Sequence, residues 1–123
     1  MLELLRCDQC GKMVLIVNEG SGTLSCCGQP MTWCSEKTVD EGKEKHAPVV
    51  EKIPTGTRIK VGAVPHPMEA DHHIVWIEVM GDTFLYTKTL KPGDTPESDF
   101  CIDPDQVKKV RIYCNKHGFW KKS

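Results

Sequence analysis

The sequence predicts an all-β protein in two parts: a short metal-stapled module over residues 1–36 and a larger β-sandwich over residues 37–123. Three observations carry that expectation. Cys7, Cys10, Cys26, Cys27 and Cys34 crowd the first part, while Cys101 and Cys114 stand far downstream. From Ser35 to Lys45, "SEKTVDEGKEK" is polar and charged with almost no apolar content, which reads as a linker with a boundary near Glu36. Beyond it, short β-branched and aromatic runs alternate with turn residues and show no helical period.

The bulk numbers narrow the classes. With 27% charged and 39% hydrophobic residues, the composition is that of a soluble globular chain. A formal net charge of -1 gives no electrostatic reason to expect a nucleic-acid partner. The opening "MLELLRCDQC" reaches Arg6 before any apolar stretch suited to a signal peptide, and no segment approaches the roughly 20 apolar residues of a membrane span. A cytoplasmic location is the expectation, where thiols stay reduced. Seven cysteines then point to metal ligation, and the odd count excludes complete internal pairing.

The first element is too short to bury an adequate core. Chains below roughly 40 residues usually need metals, disulfides or oligomerisation. Its one apolar run, "MVLIV", precedes the turn-forming "NEGSG", which suggests a β-hairpin stapled by an ion. The staple is Cys7-x-x-Cys10 with the adjacent pair Cys26-Cys27, four thiolates able to complete a tetrahedron around zinc or iron. Neighbouring cysteines on a flat strand would face opposite ways, so the chain must bend there, and Gly28 and Pro30 permit it. Cys34 is left over as a small buried hydrophobe.

The second element reads as strands in succession. "TRIKVGAV" places Ile59, Val61 and Ala63 on one face and Arg58 and Lys60 on the other. "HIVWIEVM", "TFLYTKTL" and "KKVRIYC" follow, separated by "GD", "KPGD" and "DPD" turns, a spacing that suits a sandwich. Cys114 shares strand parity with Val110 and Ile112, so its sulfur should lean toward the apolar face. Cys101, in "SDFCIDPD", is expected to be buried and structural.

Three segments offer imidazole or thiolate for a second site: "EKHAP" with His46, "VPHPMEADHHIVW" with His66, His72 and His73, and "YCNKHGFW" with Cys114 and His117. Cys-x-x-His is a chelating spacing, and Gly118 after it permits close backbone approach. Alternation does not choose between the adjacent histidines. His73 shares parity with Val75, Ile77 and Val79, the more apolar face, whereas His72 falls with Ile74, Trp76 and Glu78.

The cysteine pattern of residues 1–36 resembles the desulforedoxin module, a rubredoxin-like site with a contiguous second cysteine pair. The segments "EKHAP", "VPHPMEADHHIVWIE" and "YCNKHGFW" resemble the signature segments of superoxide reductases, and with the cage ahead of them the order is that of desulfoferrodoxin, the two-iron form. The resemblance implies a desulforedoxin/rubredoxin-like N-terminal module and an immunoglobulin-like catalytic β-sandwich. It implies two mononuclear irons, one in the Cys7, Cys10, Cys26, Cys27 cage. The other is held by equatorial His46, His66, His72 and His117 with axial Cys114, its sixth position open. His73 is then a bystander, in packing or in a supporting hydrogen bond.

The activity so implied is one-electron reduction of superoxide to hydrogen peroxide. Lys45 would attract the anion and order a proton-donating water. Glu44 would occupy the sixth position of the oxidised resting state and withdraw on reduction. Rubredoxin or a similar small carrier is the implied donor, the cage iron a relay or a structural ion, and a homodimer the implied assembly. Other classes separate by simple observations. A structural or nucleic-acid module would shift DNA in a salt-sensitive way, an electron carrier would form no peroxide from superoxide, and a dismutase would also release oxygen.

Overall fold

Residues 3–38, 47–62 and 66–122 are described by a computed structural model. Their regular structure is almost entirely β, interrupted by one 3-10 turn at Pro104–Gln106. Among the described residues no helix is long and apolar enough to cross a membrane.

The first unit, Met1–Ser35, contains β1 (Glu3–Arg6), β2 (Met13–Ile16), β3 (Ser25–Cys26), β4 (Gln29–Pro30) and β5 (Thr32–Trp33). β1 is the central strand, with β2 and β5 antiparallel on either side. The expected hairpin exists, but its turn is the cysteine knuckle rather than "NEGSG". β1 runs into Cys7, whose N–H donates to Lys12 O at 2.8 Å, and Gly11 donates to Cys7 O at 2.8 Å. Gly11 takes φ +80, a conformation that glycine enters without strain. Among the described residues of this unit the buried apolar ones are Leu4, Leu5 and Cys7, while Val17, Leu24 and Trp33 are exposed. So small a core leaves the cysteine staple to carry much of the stability.

The second unit, Glu36–Ser123, has β6 (Glu36–Lys37), β7 (Pro48–Ile53), β8 (Gly56–Val61), β9 (Ile74–Met80), β10 (Leu85–Thr89), β11 (Glu97–Phe100), β12 (Lys109–Cys114) and β13 (Gly118–Lys122). They form a five-stranded sheet, β10-β9-β12-β13-β6, and a three-stranded sheet, β11-β8-β7. One apolar cluster draws on both: Ile59 and Val61 of β8 and Phe100 of β11 join Ile74, Ile77, Val79, Val110, Ile112, Cys114 and Trp120. Alternation on β8 runs as read, with Thr57, Ile59 and Val61 buried and Arg58 and Lys60 half-exposed; Ala63 lies outside the described residues. Val110, Ile112 and Cys114 share the core side of β12.

Three expectations need correction. Part of the stretch read as a linker is strand, because Glu36 and Lys37 pair in parallel with Phe119 and Trp120 along an edge. What holds so polar a strand is charge. Glu36 meets Lys109 Nζ at 2.7 Å, Arg111 Nη1 at 3.3 Å and Lys121 Nζ at 3.7 Å. Burial works to raise the Glu36 pKa, but Lys109 and Arg111 outweigh it and hold the carboxyl below its usual range. Cys101 is exposed, not buried, since it follows Phe100 out of β11 into a bend. Finally, alternation fails on β9. Tyr113 faces Trp76 but Cys114 faces Ile74, so Val75 is an extra residue in a β-bulge. The slip sends Ile74 into the core beside Ile77 and Val79, so the apolar parity changes hands at Val75, within the first residues of the strand.

Candidate metal centres

In the first unit the donor sulfurs of Cys7, Cys10, Cys26 and Cys27 all lie within 4.8 Å of one another. The contiguous pair solves its geometry by a turn. Cys27 (φ +54) and Gly28 (φ +76) are the two loop residues between β3 and β4, and positive φ at both marks a type I′ hairpin. Cys10 and Cys26 sulfurs are 3.7 Å apart, Cys26 and Cys27 sulfurs 3.9 Å. A tetrahedron with metal–sulfur bonds of about 2.3 Å has edges of about 3.8 Å, so this spacing is that of ligands to one ion.

The protonation pattern agrees. The backbone N–H of Cys10 beside its sulfur holds Cys7 down to about 7. Cys26, hydrogen-bonded to the Cys7 and Cys10 sulfurs, is pushed up to about 12, and Cys27 is raised with it, chiefly by Cys10. Crowding sets Cys26 and Cys27 against ionisation, an obstacle that a cation at the centre of the sulfurs would remove. Cys34 stands apart, half-buried, its thiol pushed up by burial.

In the second unit, donor atoms of His66, His72, Cys114 and His117 also fall within 4.8 Å of one another. The sheet brings three of them to one end. Cys114 closes β12, where it pairs with Ile74 at the start of β9 and Gly118 at the start of β13. His72 therefore precedes one neighbouring strand and His117 the other. His66 follows β8 and donates its N–H to Val61 O at 3.3 Å. Between them the chain doubles back, Glu69 and His72 exchanging N–H···O bonds of 2.9 and 3.2 Å.

The rings are arranged around a point. His66 and His72 have centroids 4.8 Å apart at 83°, and His72 and His117 repeat this at 4.8 Å and 76°. His66 Nδ1 lies 2.7 Å from Pro67 O. A carbonyl can only accept, so Nδ1 carries the proton and Nε2 is the ring nitrogen whose lone pair can ligate a metal. His117 instead turns Nδ1 toward the Cys114 sulfur at 3.9 Å and donates its backbone N–H to that sulfur at 3.4 Å. Cys114 and His66 are buried, His72 half-buried and His117 exposed, so the set runs from a sulfur in the core to an imidazole at the surface. With metal–nitrogen bonds of about 2.1 Å, neighbouring planar ligands sit about 3 Å apart and opposite ones about 4.2 Å, within the observed spread. These residues fit one transition-metal ion.

His73 is not in the cluster; its Nδ1 faces Glu69 O at 3.1 Å. Glu44, Lys45 and His46 lie outside the described residues. Two contributors escaped sequence reasoning. Asn115 sits inside "YCNKHGFW", where its Oδ1 accepts from His73 N–H at 2.9 Å and its Nδ2 donates to Asp71 O at 3.1 Å, tying the two ligand loops together. An amide between Cys and His of a chelating pair was the available signal. Lys37, hidden in the polar stretch, donates to His117 O at 2.7 Å and left no sequence signal.

Comparison with known proteins gives a consistent family. The family described as Desulfoferrodoxin matches residues 38–123, and the Desulfoferrodoxin N-terminal domain matches residues 1–33. A desulfoferrodoxin homolog of Methanothermobacter thermautotrophicus is 51% identical over 118 residues, covering 96% of this chain and 95% of its own. A desulfoferrodoxin of Desulfarculus baarsii is 52% identical over 120 residues, covering 98% and 94%. The crystal structure of the superoxide reductase from Treponema pallidum superposes with a TM-score of 0.83 at 28% identity, covering 100% of this chain and 98% of that one.

Proposed function

This chain belongs to the desulfoferrodoxin family, and from that premise we propose that it is a superoxide reductase. It reduces superoxide to hydrogen peroxide at a His/Cys iron centre, with electrons from a small rubredoxin-type carrier. The observation that carries this is the convergence of His66, His72, His117 and Cys114 from three separate segments onto one point. An iron held there supplies the single electron that, with two protons, converts superoxide to hydrogen peroxide.

The chain's own residues supply the rest. Three imidazoles with the motif-assigned His46 give neutral ligands that suit iron, while the core-side Cys114 thiolate adds charge and electron density. Exposure of His117 beside buried Cys114 leaves the solvent side for a small anion. Lys45, carried over by motif, attracts superoxide and orders a proton-donating water. Glu44, by the same carry-over, would be a carboxylate ligand to that iron when the centre is oxidised and would release it on reduction. The four-cysteine module, residues 1–36, holds a second iron, and residues 37–123 form the catalytic domain as an immunoglobulin-like sandwich. The protein works in the cytoplasm as a homodimer.

The test is stoichiometric. Two irons per chain are expected, and one peroxide per superoxide consumed under reducing conditions without oxygen release. Oxygen release at half a mole or so per superoxide, the dismutation signature, or zinc in the histidine centre, would sink the proposal.

A further inference from the structure

We propose that Lys37 is a positioning residue for the His/Cys centre, fixing the His117 limb and placing a full positive charge beside it. The inference rests on the metal-centre reading above but not on superoxide being the substrate. Its ground is a clamp on one peptide. His117 N–H donates to the Cys114 sulfur at 3.4 Å. On the other side its carbonyl accepts from Lys37 Nζ at 2.7 Å and from Trp120 Nε1 at 3.2 Å.

Lys37 reaches that carbonyl because β6 lies along β13 with Lys37 opposite Trp120. The ammonium stands 5.3 Å from the Trp120 ring centre, a cation–π contact that narrows its choice of rotamer. Gly118, next to the clamped peptide, takes φ +87, a left-handed conformation that glycine enters without strain. The strand is itself pinned by its neighbour Glu36, which is ion-paired with Lys109 and Arg111. A residue 80 positions away in sequence is thus held against the carbonyl of a metal ligand.

Two effects follow. Restricting the His117 peptide keeps Nδ1 in place before the ion arrives, and partners of ligands commonly change metal affinity by about 10–100-fold. A fixed cation also favours the less positive, reduced state of the centre, so it raises the reduction potential.

Full-length protein, Lys37→Met and Lys37→Arg are titrated with cobalt(II), followed at the thiolate-to-metal absorption that Cys114→Ser removes and Cys10→Ser keeps. Lys37→Met is expected to weaken cobalt(II) binding at this centre about tenfold, with the four-cysteine centre unchanged. In the iron-loaded protein it lowers the reduction potential of the same centre, and Lys37→Arg restores the potential. Unchanged affinity and potential in Lys37→Met would overturn the proposal. So would weaker binding with an unmoved potential, which would leave Lys37 a structural tie only. Failure of the superoxide reading looks different: cobalt(II) binds and responds to Lys37, but the unaltered iron protein forms no peroxide.

Discussion

Replacing Glu78 by leucine should destabilise the second unit by about 3 kcal/mol, and replacing Arg111 by methionine as well should return most of it. Both side chains are buried, Arg111 at 1% and Glu78 at 3% exposure, on facing positions of β12 and β9. Glu78 Oε2 meets Arg111 Nε and Nη2, each at 2.6 Å. Removing one partner of a buried pair typically costs about 3–5 kcal/mol, because the survivor is left charged in a poor solvent. The lower end applies here. Glu36 stays 3.3 Å from Arg111 Nη1, and the Phe119 ring remains 4.8 Å from Cζ. Burial pushes the Glu78 carboxyl up despite the attraction of Arg111, and desolvation of a buried pair commonly offsets its attraction. An apolar pair of similar volume is therefore expected to fall within about 1 kcal/mol of the original. The assay is urea unfolding at pH 7.5 with metal content fixed, read by tryptophan fluorescence, comparing both single variants and the double variant. A Glu78→Leu loss under about 1 kcal/mol, or a double variant as weak as the single, would refute the reasoning.

Cys114→Ser should abolish turnover and the visible thiolate-to-iron absorption; retention of both would remove Cys114 from the ligand set. Lys45→Ile should slow superoxide capture and flatten its ionic-strength dependence in pulse radiolysis, and an unchanged bimolecular rate would refute its role. Asn115→Ala should cost about 1 kcal/mol of stability and weaken iron binding at the His/Cys centre about tenfold, measured by chelator competition. Because the Glu36 carboxyl is held below its ordinary value of 4.5, its contribution is present above that pH and lost as pH falls through the lowered value. Glu36→Gln should therefore flatten the acid-side decline in stability below about pH 4.5, measured by thermal melts across pH.

The chemistry-bearing residues were legible because chelation leaves short-range marks. Cys7-x-x-Cys10, Cys26-Cys27 and Cys114-x-x-His117 are spacings that only a few backbone geometries explain, and each proved to be a turn. Strand β8 was legible because nothing interrupts its alternation. The bulge at Val75 was not, since one extra residue leaves composition unchanged while reversing which side is apolar. Strand β6 was hidden for a different reason. Glu36 and Lys37 have the composition of a solvated linker, and only Lys109, Arg111 and Lys121 from other strands make an edge strand of them. Cys101 misled because burial statistics for cysteine say nothing about a bend at a strand end.

The unequal interiors of the two units give them different fates when iron is stripped away. Among the described residues only Leu4, Leu5 and Cys7 are buried and apolar in the leading module, too few to hold it against the entropy of its own chain, so demetallation and loss of shape are expected to be one event there. The trailing unit keeps its wall of isoleucine and valine whatever its histidines hold, and so waits as a ready socket. An apo chain recharged with iron would fill that socket at once, while the leading module would have to condense around its ion from an unstructured start.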